Sequence, residues 1–538
     1  MALGTRALSP RRTARLERAS AAHAVSPRKI PPLLLALALA VCVVLAGPLV
    51  FLSIEAASAR DVGALVFRAF TAELLWNTAR LTVVAVAACV VLGTGAAFLV
   101  ERTDLPLRRF FAVAFVVPLA IPDFVVAFGW SSLNGAISGF WGALLVMSVA
   151  VYPLVYLPVA ASLRNGDPTE EEVARSLGYG ALRTFARVTL AQARVAILGG
   201  ALLCALVILA EYGAFEMLGY QTFTTEIFTE LQVAFDLQGA AALSLVLVAL
   251  SILLVAGELL SRGRRTAERT RAPRRPPQRL ALGRLRPLAF LGASGLVAGA
   301  IGVPVATCGY WMAQSVSAPL AGSSLASATA QTAWYGLAAG ALAVALALPV
   351  ALLSVRHPGV LAVVLERSTY LVLAVPGLVV ALALSTASLR YGGGFGYQSA
   401  PLMIFAYALL FFPLALVGVR TSLAQAPRRL EEVARSLGVR RFSVFCRVTL
   451  PLIAPGLAAG FCLVFLSVVT ELTATLVLRP TGVETLSTQF WSYQQNLSYA
   501  QAAPFALVMV GLAALPSVAL GRYFDRLARR HLTSGPAS

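Results

Sequence analysis

A chain of 538 residues with 59% apolar side chains, only 12% charged ones and a mean hydropathy of +0.81 lies far from the half-apolar, quarter-charged mix of water-soluble domains. That excludes an ordinary soluble enzyme and describes an all-α polytopic membrane protein. The formal charge of +19 is accounted for by where the basic residues fall along the chain, as set out below, so no nucleic-acid partner is inferred.

Residues 1–29 hold seven basic side chains and one acid, Glu17, without an apolar pattern, and read as a basic cytoplasmic leader. A cleaved signal peptide is the rival reading. The uncharged run that follows is too long for an ordinary signal core, and Glu55-Ala-Ala-Ser-Ala59 is a weak cleavage site, so the first helix is taken as retained. Crossing roughly 30 Å of hydrocarbon takes about 20 helical residues, and such runs occur six times in each half. The first half offers residues 30–54, 81–100, 110–130, 140–163, 195–218 and 239–260. The second offers 288–312, 332–355, 369–389, 401–419, 452–478 and 502–520. Pro122 and Pro376 fall inside the third span of each set and predict kinks.

With the amino terminus inside, 38 of the 43 Arg and Lys residues fall in loops and tails on the inner side. The positive-inside rule therefore places both termini in the cytoplasm. Six spans per half is an even number, so the halves enter the membrane from the same side and are parallel repeats. The predicted partition is a leader at 1–29, a first six-helix repeat at 30–260, an Arg/Pro-rich cytoplasmic linker at 261–287, a second repeat at 288–530 and a tail at 531–538.

The two halves also repeat in sequence. Glu-Val-Ala-Arg-Ser-Leu-Gly occurs at Glu172–Gly178 and again at Glu432–Gly438, an offset of 260 residues. Arg187-Val-Thr-Leu190 recurs as Arg447-Val-Thr-Leu450, Glu211 as Glu471 and Pro153 as Pro413 at that same offset. Upstream the offset is 254, pairing Asn77-Thr-Ala79 with Gln331-Thr-Ala333, Arg102 with Arg356 and Leu119-Ala-Ile-Pro122 with Leu373-Ala-Val-Pro376.

Each repeated heptapeptide sits in a polar loop, 164–194 or 420–451. In the first, Asp167 is placed to cap a helix that opens at Pro168, with Glu170, Glu171 and Glu172 at its positive end. Val173, Ala174 and Leu177 are expected on one apolar face, and Gly178 ends the helix. The second loop repeats this with Glu432, Val433, Ala434, Leu437 and Gly438. Two short helices with an apolar stripe and a charged border form a docking element rather than an active site.

Carboxylates inside membrane spans are costly, by about 2.5–3.5 kcal/mol on the mildest scale, and so mark function. Glu211 and Glu471 occupy equivalent places late in the fifth spans, Glu216 follows about a turn later, and Asp123 adjoins Pro122. These four are the candidate pathway residues. Two readings stay open: the glutamates line a cation path, or they hold helices together and gate the seam. Asp123 faces a Gly377 counterpart and lies outside the symmetric pattern.

The spacing Glu-x-Ala-x-x-x-Gly, then an apolar residue, x, Leu and Pro, resembles the coupling loop of permease subunits in binding-protein-dependent ATP-binding-cassette importers. It fits Glu432, Ala434, Gly438, Val448, Leu450 and Pro451; in the first copy it fits Glu172, Ala174, Gly178, Val188 and Leu190, with Ala191 where the family has Pro. That departure is expected to loosen the turn after the first coupling helix. The stretches Glu211-Tyr-Gly-Ala-Phe215, Thr222-Phe-Thr-Thr-Glu226, Glu471-Leu-Thr-Ala-Thr-Leu476, Arg479-Pro-Thr-Gly482 and Glu484-Thr-Leu486 are similar to the fused two-half permeases of ferric-iron importers.

The resemblance implies a type I ABC importer permease fold in a bacterial cytoplasmic (inner) membrane. It also implies two copies of an ATPase subunit on the coupling loops and a periplasmic or surface-tethered substrate-binding protein outside. ATP and Mg would be used by the ATPase partner and no cofactor held by this chain, whose lone lysine, Lys29, has no phosphate loop around it. Thiamine, polyamine and other small solutes are the substrate alternatives. A 12-span carrier driven by an ion gradient is the rival class, and the paired loops argue against it. No metal-ligand spacing or catalytic constellation is visible in the sequence.

Overall fold

The computed structural model describes residues 30–58, 68–166, 168–261, 279–314, 322–362, 364–365, 375–392 and 396–514. The leader, most of the linker, the carboxyl-terminal tail and the proposed cap Asp167 lie outside them. The described residues are helical throughout, with one isolated bridge between Thr103 and Leu280. Among the described residues ten candidate membrane spans, counting each bent pair as one, and two shorter apolar helices follow in the expected order.

Eight are single long apolar helices: Pro32–Ala57, Ala69–Arg102, Gly139–Arg164, Phe185–Ala210, Leu237–Glu258, Gly283–Ala313, Gly322–Arg356 and Arg441–Val469. Two are broken. The third span is Arg108–Ala120 followed by Asp123–Ser131 at 96°, and the tenth is Ala400–Leu410 followed by Phe412–Gln425 at 56°. Gly377–Tyr391 and Tyr499–Ala514 are shorter apolar helices.

The sharp bend has a local cause. Proline disfavours helical geometry in the residue before it, and Ile121 is extended (φ −102°, ψ 118°) ahead of Pro122. Pro376 likewise precedes the helix Gly377–Tyr391. The fifth spans also differ from the sequence expectation: the helices stop at Ala210 and Val469, and the residues assigned to their ends form separate short helices, Gly213–Met217 and Thr473–Leu478.

Small residues let the helices inside each half approach closely. A Cβ on Gly456 would lie 2.2 Å from Ser422 Cβ and 2.6 Å from the Gly418 carbonyl, and one on Gly200 would lie 2.7 Å from Val155 Cα. Gly456→Val is therefore expected to cost at least about 1–3 kcal/mol through overpacking. Loss of thermal stability in detergent measures it; an unchanged melting midpoint would show that the fourth and fifth spans can part without penalty.

The first span of each half packs on the other repeat, Pro32–Ala57 while also resting on Leu237–Ser261 of its own. Pro32–Ala57 lies against Gly322–Arg356 and Gly377–Tyr391, and Val303–Ala313 lies against Asp123–Ser131. The second contact is close enough that a Cβ on Gly129 would meet Pro304 Cα at 2.6 Å. Thr307 Oγ1 donates to the Gly129 carbonyl at 3.1 Å, and Trp130 Nε1 to Gly299 at 3.1 Å. On the reciprocal side, buried Glu55 of the first span pairs with Arg390 of the ninth beside a cleft of about 740 Å³. Both buried cores are mixtures of the two halves.

Candidate functional site

On one face of the bundle stand two matching loop helices, Pro168–Ser176 and Arg428–Ser436. Gly178 and Gly438 end them at φ +84° and +82°, a region that glycine enters without the Cβ penalty. The structure corrects the expected apolar stripe. Ala174 is buried against its own bundle, whereas Val173 and Leu177 point away, Leu177 72% exposed. At 100° per residue, positions 171 and 174 share the inner face and 173 and 177 the outer one.

In the second loop Leu437 is 77% exposed, Val433 is exposed and Ala434 is half-buried. Glu172 and Glu432 are on the outside as well. Pro451 lies exposed in the first turn of Leu450–Val469. The expected loosening at Ala191 does not occur. Both copies pass through the same π-turn, Phe185–Thr189 and Phe445–Thr449, before the long helix starts, so the proline does not set the turn.

The inner faces carry a feature that the sequence reading missed. Arg102, at the end of the second span, donates to Glu171 at 3.0 Å, and Arg356, its repeat partner, to Glu431 at 2.6 Å. Glu171 also accepts from Thr189 Oγ1 at 2.9 Å, which joins the helix to the π-turn. The first pair is sealed, with side chains 3% and 8% exposed. The second is looser at 11% and 12% and is shared with Arg435 at 3.5 Å. The recurrence of both partners at the repeat offsets was the signal available in the sequence.

The second constellation lies deep in the bundle. Glu211 is extended (φ −71°, ψ 135°) just past Ala210, and its carboxylate accepts the Ala214 N–H at 2.7 Å, capping the short helix Gly213–Met217. Glu471 does the same for Ala474 at 2.9 Å. Behind each break, a threonine capping box starts another helix, Phe223–Gln232 at Thr222 and Leu486–Gln495 at Thr485. Thr224 Oγ1 donates to the Glu211 carbonyl at 2.5 Å, and Ser487 Oγ to that of Glu471 at 2.8 Å. Thr78 and Thr332 accept the N–H groups of Phe223 and Leu486. The glutamates are thus helix-breaking residues held by symmetric nets, not residues within a continuous span.

Asp123 and Glu471 are both within Coulombic reach of Glu211. At the position equivalent to Asp123, a Cβ on Gly377 would lie 3.3 Å from Glu471 Oε1. The structure therefore brings Asp123 to the pair and leaves the fourth quadrant to a glycine. All three carboxylates are partly exposed although they lie deep between the halves, as residues lining an internal space would be. Glu216 is not drawn in; it is exposed on the short helix. Aromatic side chains close the seam beside the carboxylates: Phe124 to Phe490 at 5.5 Å, Phe128 to Phe490 at 5.4 Å and Tyr212 to Trp491 at 5.8 Å between ring centroids. Nothing in the sequence pattern had marked them.

Residues 89–262 and 343–533 each match the family of binding-protein-dependent transport system inner membrane components. The chain belongs to that family. Over 85% of its length it is 40% identical to the Fe(3+)-transport system permease protein FbpB 2 of Haemophilus influenzae, covering 91% of that protein. A shorter stretch, 23% of the chain, is 29% identical to 56% of the molybdenum transport system permease protein ModB of Escherichia coli K12. Another, 25% of the chain, is 30% identical to 48% of the diacetylchitobiose uptake system permease protein DasC of Streptomyces coelicolor. The permease is accordingly a multi-pass transport subunit, and its two family matches fall one in each repeat.

Proposed function

We propose that this permease carries ferric iron into a bacterial cell across the cytoplasmic membrane, with its termini and both loop helices in the cytoplasm. The observation that carries the substrate is the likeness to an Fe(3+)-transport permease over nearly the whole of both chains. The three carboxylates agree with it, since hard cations take oxygen ligands. Two glutamates and an aspartate, two of them already accepting backbone N–H groups, suit brief passage better than storage. Glu211, Glu471 and Asp123 are the pathway residues of this reading, and the aromatic contacts its closed gate.

Two ATPase subunits, using ATP and Mg, dock on the exposed side chains Val173, Leu177, Val433 and Leu437, with Glu172 and Glu432 at the border. A binding protein delivers the ion to the opposite mouth. ATP binding draws the loop helices together, the Arg102–Glu171 and Arg356–Glu431 pairs pull the second and eighth spans with them, and the seam opens outward; hydrolysis resets it.

Proteoliposomes holding the permease, its ATPase and its binding protein test this reading. Radiolabelled ferric iron is expected to accumulate only with ATP. Accumulation of a different solute would discard iron, and uptake indifferent to ATP but abolished by collapsing ion gradients would replace the reading with a gradient-driven carrier.

The loop's role has its own test. Proline fixes φ near −65° and cannot adopt the +82° of Gly438. Gly438→Pro is expected to lower uptake about tenfold, equivalent to about 1.4 kcal/mol, while ATP hydrolysis by the assembled complex continues. Unchanged uptake would show that this turn does not transmit the motion.

A further inference from the structure

On the loop-bearing face, at the boundary between the halves, lies a cleft of about 530 Å³ lined by Arg108, Arg109, Arg279 and Arg286. Its walls are the helices Arg108–Ala114 of the first repeat and Arg286–Val297 of the second, joined by an edge-to-face contact of Phe111 with Phe290 at 5.7 Å. Its floor is fixed by the backbone. The Asp104 N–H donates to the Leu280 carbonyl at 3.2 Å and the Leu280 N–H to Arg102 at 2.8 Å. Asp104 Oδ1 accepts the Leu282 N–H at 2.8 Å.

The charge in this cleft is in excess, four arginines against the single carboxylate of Asp104. Arg108 feels Arg279 and Arg109 as like charges, and among the described residues none of the four arginines makes an ion pair. Of the two nearby acids, Asp104 lines the cleft and accepts the Leu282 N–H, and Glu101 acts on Arg108 but is paired with Arg164 at 2.5 Å. Four guanidinium groups around one carboxylate leave an excess of positive charge suited to a phosphate. The rim is apolar and open: Leu107, Phe110, Leu285 and Leu288 are each more than half exposed, beside the starts of the apolar helices Arg108–Ala114 and Arg286–Val297. A soluble phosphate has no use for such a rim, whereas acyl chains do.

We propose that this cleft binds the phosphate headgroup of an anionic phospholipid from the leaflet on the loop side, clamping residues 279–286 to the first repeat. Basic pockets between membrane helices on the cytoplasmic side have this chemistry. The proposal is independent of what the permease carries.

The test uses the full chain in nanodiscs of phosphatidylcholine alone or with phosphatidylglycerol, and counts lipid retained after transfer to detergent by native mass spectrometry. Phosphatidylglycerol is expected to be retained in preference to phosphatidylcholine. Arg108→Gln with Arg279→Gln should weaken retention about 30-fold, and Arg194→Gln, elsewhere on the same face, should not. Equal retention in wild type and double variant would overturn the site, and displacement of the lipid by millimolar inorganic phosphate would reassign it to a soluble anion. Should the double variant misfold, hydrogen exchange of wild type decides. Residues 103–110 and 279–286 are expected to be protected at least tenfold more with phosphatidylglycerol, and no difference would overturn the clamp.

Discussion

Glu171→Ala is expected to destabilise the permease by about 3–5 kcal/mol, because it leaves the Arg102 guanidinium charged, buried and without its partner. With side-chain exposures of 3% and 8%, this pair has no solvent to replace what is removed. Glu431→Ala should cost less. Arg356 is 11% exposed and keeps the Ala426 carbonyl as an acceptor at 3.3 Å. Thermal unfolding in detergent gives both values, and a loss below about 1 kcal/mol for Glu171→Ala would place the pair among ordinary surface bridges.

Replacing both partners, Arg102→Met with Glu171→Leu, should recover most of the stability, since removing an entire buried pair is often neutral. If the pair also carries motion, the double variant folds yet takes up substrate slowly. Recovery of stability and uptake together would make the pair purely structural.

Glu211→Gln with Glu471→Gln is expected to slow uptake tenfold or more, at least about 1.4 kcal/mol on the barrier, with ATPase docking intact. Glutamine keeps an acceptor for the Ala214 and Ala474 N–H groups, so the helix breaks survive and the charge alone is lost. Transport at the wild-type rate would remove the carboxylates from the path. Asp123→Asn alone should have a smaller effect of the same sign, because Asp123 has no symmetric counterpart.

The order of the apolar helices was legible because a bilayer demands long uncharged runs, and the repeat was legible from seven identical residues. Direction was not. Pro122 announced a kink, but hydropathy counts residues and gives no angle, so the size of the 96° turn was not legible. The fifth spans were overextended for the same reason: Glu211 and Glu471 follow the helix ends and cap new short helices with their side chains, and the apolar run continues past the break. The loop glycines could be read from sequence since only a left-handed φ explains their place. The inner face of the loop helix could not. Whether Glu171 or Glu172 meets an arginine depends on where the second span ends, 69 residues away. Asp123 joins Glu211 across the bundle, a proximity that no local spacing encodes.

The reciprocal seating of the two first spans bears on the order in which the chain can be built. Pro32–Ala57 is made early, but helices it must rest against, Gly322–Arg356 and Gly377–Tyr391, emerge from the ribosome nearly three hundred residues later. At roughly 5–20 residues per second, that helix waits tens of seconds in lipid with a bare flank. The first repeat is thus an unfinished intermediate until the second arrives. A chain stalled in the linker should be taken for a damaged protein and degraded, whereas the two halves made as separate polypeptides in the same membrane should find and complete each other.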